Sequence, residues 1–282
     1  MHLFEEMKRN GVVPDVRLLK KIIETFCSEG HFTTVFPFIN GNAEHMKPGS
    51  VVSLYNVVLE GFVNSGDIEA AYQLLRSMVH GGQRVSNDNT GGLHLFVISE
   101  GVKPNCDSVN IVVCGLCKFK KLDLALALTK EMIGLSCKGK LLMFNDLILE
   151  LCNSDRLDEA YDMFNKMKDI GLKPSEFTYN SLFHGISRRK DPSAAIDLLR
   201  EMRTNGHKPL IKNCTEMVQQ LCFSGKITEA LQFFDEMLIM GFLPDIVTYS
   251  AAMNGMCKTG EIDNALELFR DISSKYYLPD VT

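Results

Sequence analysis

The side chains able to do chemistry are scattered along the chain rather than gathered. Cys114 and Cys117 form a Cys-x-x-Cys, a spacing that holds zinc when a second pair or two histidines complete it. No second pair stands at ligand spacing, and His2, His31, His45, His80, His94, His184 and His207 share no phase. The two thiols are therefore read as core residues on one helix, and no metal site is expected. No Walker loop, Gly-rich dinucleotide fingerprint or nucleophile elbow occurs. These residues point to no cofactor and no enzyme. One set of charges is ordered, however. Lys118, Arg188 and Lys258 stand 70 residues apart. Cations repeated at a fixed interval suit contacts to phosphates, against the plainer reading of solvated helix faces.

That interval is twice 35, and 35 is the period of the whole chain. Pro104, Pro174, Pro209, Pro244 and Pro279 keep it, and so do Ala125, Ala160, Ala195, Ala230 and Ala265. Met132, Met167, Met202 and Met237 form a third series, and Cys117, Cys152, Cys222 and Cys257 a fourth. Four residue types in one fixed phase define an internal repeat. Counting back from the C-terminus gives regular units 106–140, 141–175, 176–210, 211–245 and 246–280. Before them lie a longer unit 52–105 with an inserted loop at about 79–98, a degenerate unit 16–51, and a partial unit 1–15. Residues 281–282 open a further one.

Each unit reads as two helices. In 246–280, Tyr249, Ala252, Met253 and Met256 fall at three- and four-residue spacing, one face of a helix. Lys258-Thr259-Gly260 makes the turn, with Gly where a helix end needs positive φ. Ile262, Ala265, Leu266, Leu268, Phe269 and Ile272 mark a second helix, apolar on more than one side. Pro279 ends it and Asp280 is placed to cap the next. The phased Ala is small because the helices approach closely there, and the Met series is hairpin core. One hairpin cannot bury these faces alone, but stacked neighbours can. The expected fold is all-α, an α-solenoid superhelix of stacked helical hairpins.

The chain has 282 residues, is 45% hydrophobic and 23% charged, and carries a formal charge of −5. That composition supports a sizeable core and excludes disorder and a strongly basic, histone-like binder. No uncharged apolar run reaches a membrane-spanning length, so no membrane contact is expected. An odd number of cysteines, nine, fits reduced thiols. The charge is uneven. Segment 106–140 holds Lys118, Lys120, Lys121, Lys130, Lys138 and Lys140 against three acids, and segment 176–212 is similarly basic.

Tetratricopeptide repeats share an Ala and a closing Pro, but run at 34 residues and open on a Trp, which this chain lacks entirely. Its opening is Ile246-Val247-Thr248-Tyr249-Ser250, and Asn254-Gly255-Met256-Cys257-Lys258-Thr259-Gly260 follows. With Asp263-Asn264-Ala265-Leu266-Glu267-Leu268-Phe269 and Leu278-Pro279-Asp280, this closely resembles the pentatricopeptide repeat. Phe177-Thr178-Tyr179-Asn180-Ser181-Leu182, Gly115-Leu116-Cys117-Lys118 and Arg156-Leu157-Asp158-Glu159-Ala160 echo it. The resemblance covers essentially the whole chain and is to the pure-repeat class.

The resemblance implies a groove, lined by the first helices, that holds single-stranded RNA. One base is read per unit by its fifth residue, assisted by its last. Carried over, the fifth positions are Lys20, Asn56, Asn110, Asn145, Asn180, Thr215 and Ser250. The last positions from unit 52–105 onward are Asn105, Lys140, Ser175, Leu210, Asp245 and Asp280. By the family's code, Asn145 with Ser175 resembles a cytosine reader. Asn56 with Asn105, Asn110 with Lys140 and Asn180 with Leu210 resemble pyrimidine readers, the last two with off-pattern partners. Thr215 with Asp245 and Ser250 with Asp280 resemble guanine readers. Lys20 has no assignment. The implied target is 5′-YYCYGG-3′. Second positions sandwich bases in the family. Leu142, Phe177 and Val247 conform, whereas Arg17, Ser53, Asp107 and Lys212 depart, which implies modest affinity. Lys118, Arg188 and Lys258 share the thirteenth position, at the end of the first helix, in reach of phosphates.

Residues 81–92 are rich in Gly and Asn and are expected to form a surface loop, followed by an apolar segment at 93–98. Unit 16–51 carries Val35 where Ala is expected and Pro37 inside its second helix. The resemblance implies a monomer acting in organellar RNA processing, stabilisation or translation, with other RNA-processing proteins as further partners. It points to the mitochondrion, or alternatively the chloroplast. The first six residues are acidic and helical in pattern, unlike an Arg-rich transit peptide. The alternative reading is a protein–protein scaffold whose groove holds a peptide or helix. Lys20, Lys140 and Leu210 at reading positions speak for it.

Overall fold

The computed structural model describes residues 14–43, 46–79, 102–134 and 140–276, which form fourteen helices in seven pairs. These are α1 (Val16–Ser28), α2 (Phe32–Ala43), α3 (Pro48–Ser65), α4 (Ile68–Val79), α5 (Cys106–Lys118), α6 (Leu122–Gly134) and α7 (Leu141–Asn153). Then come α8 (Leu157–Asp169), α9 (Glu176–Arg189), α10 (Pro192–Thr204), α11 (Ile211–Phe223), α12 (Ile227–Ile239), α13 (Ile246–Thr259) and α14 (Ile262–Tyr276). No strand occurs among the described residues. The fold is an all-α solenoid of helical hairpins. Residues 1–13, the inserted stretch 80–101, 135–139 and 277–282 lie outside the described residues. The expectations for the partial first unit, the loop at about 79–98 and Asp280 fall wholly or mainly there.

Two compact units divide the chain, residues 1–147 and 148–282. In the first, α1, α3 and α5 pack side by side as a row of first helices, each paired with its own second helix. In the second, α9, α11 and α13 form such a row, and α10 packs against α12 in the second-helix row. Start signals in the sequence are honoured by caps. Asp15, Asn105, Ser175, Asp191 and Asp245 each accept a hydrogen bond from a backbone N–H three residues on, satisfying a donor that the helix leaves orphaned.

The hairpins are held at their crossings by the phased small residue. Val35, Ala71, Ala125, Ala160, Ala195 and Ala230 are all buried. Two pairs of successive hairpins are joined by a tyrosine at the fourth position of the later unit. Tyr179 meets the edge of Phe164 with ring centroids 5.5 Å apart, and Tyr249 meets Phe234 at 4.9 Å. The buried Tyr179 hydroxyl donates to Glu201 Oε1 (3.1 Å) and accepts from Asn205 Nδ2 (3.0 Å). Two features depart from the even pattern. Helix α3 opens at Pro48, ahead of the 51/52 boundary set by counting, because Pro at the first helical position has its φ already fixed. Helix α2 runs through Pro37, which denies the carbonyl four residues earlier its N–H.

Candidate nucleic-acid interface

The fifth residue of five of the seven units is almost closed off, while Lys20 is half-buried. Asn56, Asn110, Asn145, Asn180 and Thr215 are 7–9% exposed. Ser250, whose following unit lies outside the described residues, is exposed and donates to the Ile246 carbonyl at 2.7 Å.

Fifth and last residues meet. Asn56 Nδ2 donates to Asn105 Oδ1 (3.3 Å). Asn110 Oδ1 accepts from the Lys140 backbone N–H (3.1 Å), and Asn180 Oδ1 from that of Leu210 (2.8 Å). Because a backbone N–H only donates, these two bonds fix which amide atom faces the chain and which is turned away. The NH2 group is turned away. In Asn180 it returns to the Glu176 carbonyl at 2.9 Å. In Asn110, Nδ2 is buried without a hydrogen-bond partner, a state that costs about 1–3 kcal/mol unless a partner arrives. Thr215 and Asp245 are joined through Thr248: its hydroxyl lies 2.7 Å from Thr215 Oγ1 and 2.7 Å from Asp245 Oδ1.

The last residues are also helix caps. Asn105 and Ser175 form capping boxes with Ser108 and Thr178, and Asp245 caps α13. Lys140 and Leu210 have no such side chain. The Lys140 ammonium instead pairs with Asp107 of the same unit, a contact that holds it above its usual pKa. Leu210 is exposed. The second-position residues Leu142, Phe177 and Val247 are 63%, 51% and 52% exposed, large apolar surfaces left uncovered beside the row of fifth residues.

The thirteenth positions Lys118, Arg188 and Lys258 are exposed, and the latter two meet the thirteenth residue of the preceding unit. Lys258 Nζ sits 4.8 Å from the Phe223 ring centroid, while Lys118 Nζ lies 5.9 Å from that of its neighbour Phe119. Arg188 is committed to another duty. Its guanidinium donates to the Asn153 carbonyl (2.9 Å) at the end of α7, satisfying a carbonyl the helix leaves open.

Sequence reasoning missed the third residue of each unit. Ser108, Thr178 and Thr248 are fully buried polar side chains, and Asn213 nearly so. The available signal was their phase, a hydroxyl at 70-residue steps. Cys114 and Cys117 are not disulfide-bonded, and no group of residues able to hold a metal occurs among the described residues. Burial and a hydrogen bond to Asp146 push the Cys114 thiol well above its ordinary range. No described helix is long and apolar enough to cross a membrane.

Comparison with known proteins follows the same frame. The model of the PPR repeat family matches residues 141–188 and 211–258. The single PPR repeat matches 53–82, 107–137, 177–207 and 247–276. A putative pentatricopeptide repeat-containing protein of Arabidopsis thaliana, named as mitochondrial, is 31% identical over 136 residues, 46% of this chain and 15% of its own length. The structure is similar to that of the pentatricopeptide repeat protein PPR10 from maize, at 24% identity and TM-score 0.53, over 98% of this chain and 36% of that one. It is equally similar to PPR10 in complex with an 18-nucleotide psaJ RNA element, at 22% identity and TM-score 0.53, over 99% of this chain and again 36% of the other. The chain thus spans about a third of PPR10 and less of the Arabidopsis relative, and its likeness to PPR10 is one of fold. Matches that cover well over half of its residues, unit after unit in one register, show that the chain belongs to the pentatricopeptide repeat family.

Proposed function

We propose that the chain is a sequence-selective single-stranded RNA-binding module that reads about one base per repeat. It would act by occupying RNA in organellar processing, stabilisation or translation rather than by catalysis. The observation that carries this reading is the convergence of fifth and last residues at the junctions. Residues 30 to 49 apart in sequence place polar atoms together, and Asn110 holds an amide NH2 with no partner in the protein. A splayed base would supply the missing acceptor, and the exposed Leu142, Phe177 and Val247 would lie against its faces.

On this reading Asn56 with Asn105, Asn110 with Lys140 and Asn180 with Leu210 take pyrimidines, and Asn145 with Ser175 takes cytosine. Thr215 with Asp245, and Ser250 with Asp280, take guanine, giving 5′-YYCYGG-3′. Lys118 and Lys258 serve phosphates, with a lesser share for Arg188. An organellar location accords with the relative named as mitochondrial, and the mitochondrion is proposed ahead of the plastid. The chain would act as a monomer, without a membrane contact, alongside other RNA-processing proteins.

Filter binding with labelled 5′-UUCUGG-3′ and its reverse tests the proposal. The forward hexamer should bind at least several-fold tighter, Asn145→Ala and Thr215→Ala should weaken it, and affinity should fall steeply with salt. Equal binding of both hexamers would refute the base assignment. Absence of RNA retention together with peptide capture would replace the reading by that of a protein scaffold.

A further inference from the structure

At three junctions the reading side chain is touched from the far side by the third residue of the following unit. Ser108 Oγ donates to Asn56 Oδ1 at 2.5 Å. Asn213 Nδ2 lies 3.2 Å from Asn180 Oδ1. Thr248 Oγ1 lies 2.7 Å from Thr215 Oγ1. At the Asn110 junction the third residue of the following unit is buried Met143, which offers no hydroxyl or amide, and Asn110 Nδ2 is left without an acceptor.

Proton bookkeeping at Thr248 is informative. A hydroxyl has one proton. Thr248 can give its own to Asp245 Oδ1, a carboxylate that only accepts, or to Thr215. The charged acceptor is the stronger, so the Thr248 proton goes to Asp245, and Thr215 gives its single proton inside the junction, to Thr248 Oγ1 or to the Ile211 carbonyl 3.0 Å away. With its proton held inside the junction, the Thr215 hydroxyl meets a base as an acceptor. At Asn56 and Asn180 the third residue grips the amide oxygen instead, so these side chains meet a base through their NH2 groups as donors.

Resting on the RNA reading above, we infer that the third residue of a unit, where it is polar as in Ser108, Asn213 and Thr248, is a positioning residue that sets the hydrogen-bond polarity of the reading side chain before it, and thereby its base choice. An acceptor at Thr215 matches the N–H donors on the Watson–Crick edge of guanine. Adenine offers an acceptor ring nitrogen there, which only a freely turning hydroxyl can serve. Without Thr248, the Ile211 carbonyl is the acceptor left to the Thr215 proton, the hydroxyl turns more freely toward a base as a donor, and its preference for guanine over adenine relaxes.

The test uses the full chain and hexamers differing at one base, 5′-UUCUGG-3′ against 5′-UUCUAG-3′, read by fluorescence anisotropy. The wild type should prefer guanine at the fifth base. Thr248→Val, which keeps the shape and removes the hydroxyl, should reduce that preference by ~3- to 10-fold, the value of one net hydrogen bond. Pyrimidine preference at the fourth base should stay as it was. Thr248→Ser, which keeps the hydroxyl, should keep the guanine preference. Asn213→Leu should relax the fourth base alone, and by less, since the Leu210 N–H still holds Asn180. A full guanine preference in Thr248→Val would overturn the inference while leaving RNA reading intact. So would an equal loss for every hexamer, or the same loss in Thr248→Ser, either of which would make the role one of packing. A wild type that bound no hexamer, or bound all equally, would remove RNA reading and this inference with it.

Discussion

Three glycines at the tenth position of their units give a graded test of how closely the first helices must approach. Gly61, Gly185 and Gly255 each face the twelfth residue of the preceding unit, Cys27, Cys152 and Cys222. Adding a methyl group at Gly185 would place it 3.0 Å from Cys152 Sγ and 3.1 Å from its Cβ, so the neighbour must give by only a few tenths of an ångström. At Gly61 it would lie 2.6 Å from Cys27 Cβ and 2.8 Å from Sγ. At Gly255 it would overlap Cys222 Cβ, and would stand 2.5 Å from Sγ and 3.3 Å from the backbone Cα, a clash that no rotamer relieves. Two terms oppose each other. Gly→Ala inside a helix stabilises by about 1 kcal/mol, while overpacking costs about 1–3 kcal/mol. Gly185→Ala should therefore be near neutral, Gly61→Ala destabilising by about 1 kcal/mol and Gly255→Ala by about 2 kcal/mol. Urea midpoints of the full chain, followed by far-ultraviolet circular dichroism, give the order. Cys222→Gly combined with Gly255→Ala should be more stable than the sum of the two single changes, because it removes the atoms that clash. If all three glycine variants were stabilised alike, the close approach would be irrelevant and backbone entropy alone would decide.

The remaining predictions concern turns, charge and thiols. Lys190 ends α9 with φ 55° and ψ 45°, at the turn where Gly66 and Gly260 adopt φ 86° in their hairpins. Lys190→Gly should raise stability by about 0.5–1 kcal/mol, seen as a higher urea midpoint, and an unchanged or lower midpoint would refute the strain. Arg188→Ala should lower stability by about 1 kcal/mol through the lost bond to the Asn153 carbonyl. Lys258→Ala should instead leave the midpoint nearly unchanged and reduce the salt slope of RNA binding by about one. The same behaviour in both variants would show that their different geometries do not matter. Burial pushes the Cys152 and Cys214 thiols up to about 12. Below that pH they stay protonated and lack the reactive thiolate. At pH 8 a maleimide should label exposed Cys257 first, by peptide mapping, with the other two reacting only in denaturant. Equal labelling of all three would contradict their burial.

The fold was legible because the demands that fix it recur inside every unit. A small residue is needed where two helices cross, which gives the buried series from Val35 to Ala230. Turns were legible only where glycine marks them. Gly30, Gly66, Gly225 and Gly260 take the positive φ that the sequence announces, but Lys120, Asp155 and Lys190 take it as well, with side chains that give no such sign. The second positions were also readable, since Leu142, Phe177 and Val247 are apolar where an amphipathic helix should be polar, and they are indeed uncovered. The chemistry of the junctions was not readable in this way. Ser108 and Thr248 look like surface residues in a local pattern, and their burial depends on partners in another unit, Asn56 and Thr215, 52 and 33 residues away. Thr215 is 7% exposed because a following helix lies over it, whereas Ser250 at the same position, with no following unit among the described residues, is exposed. The working unit is therefore the junction rather than the repeat. A hairpin supplies a fifth residue, but its last residue and the third residue of the next hairpin orient it. The same asparagine can then be held differently at different junctions, as Asn180 and Asn110 are. A code read from fifth and last residues alone would miss that difference.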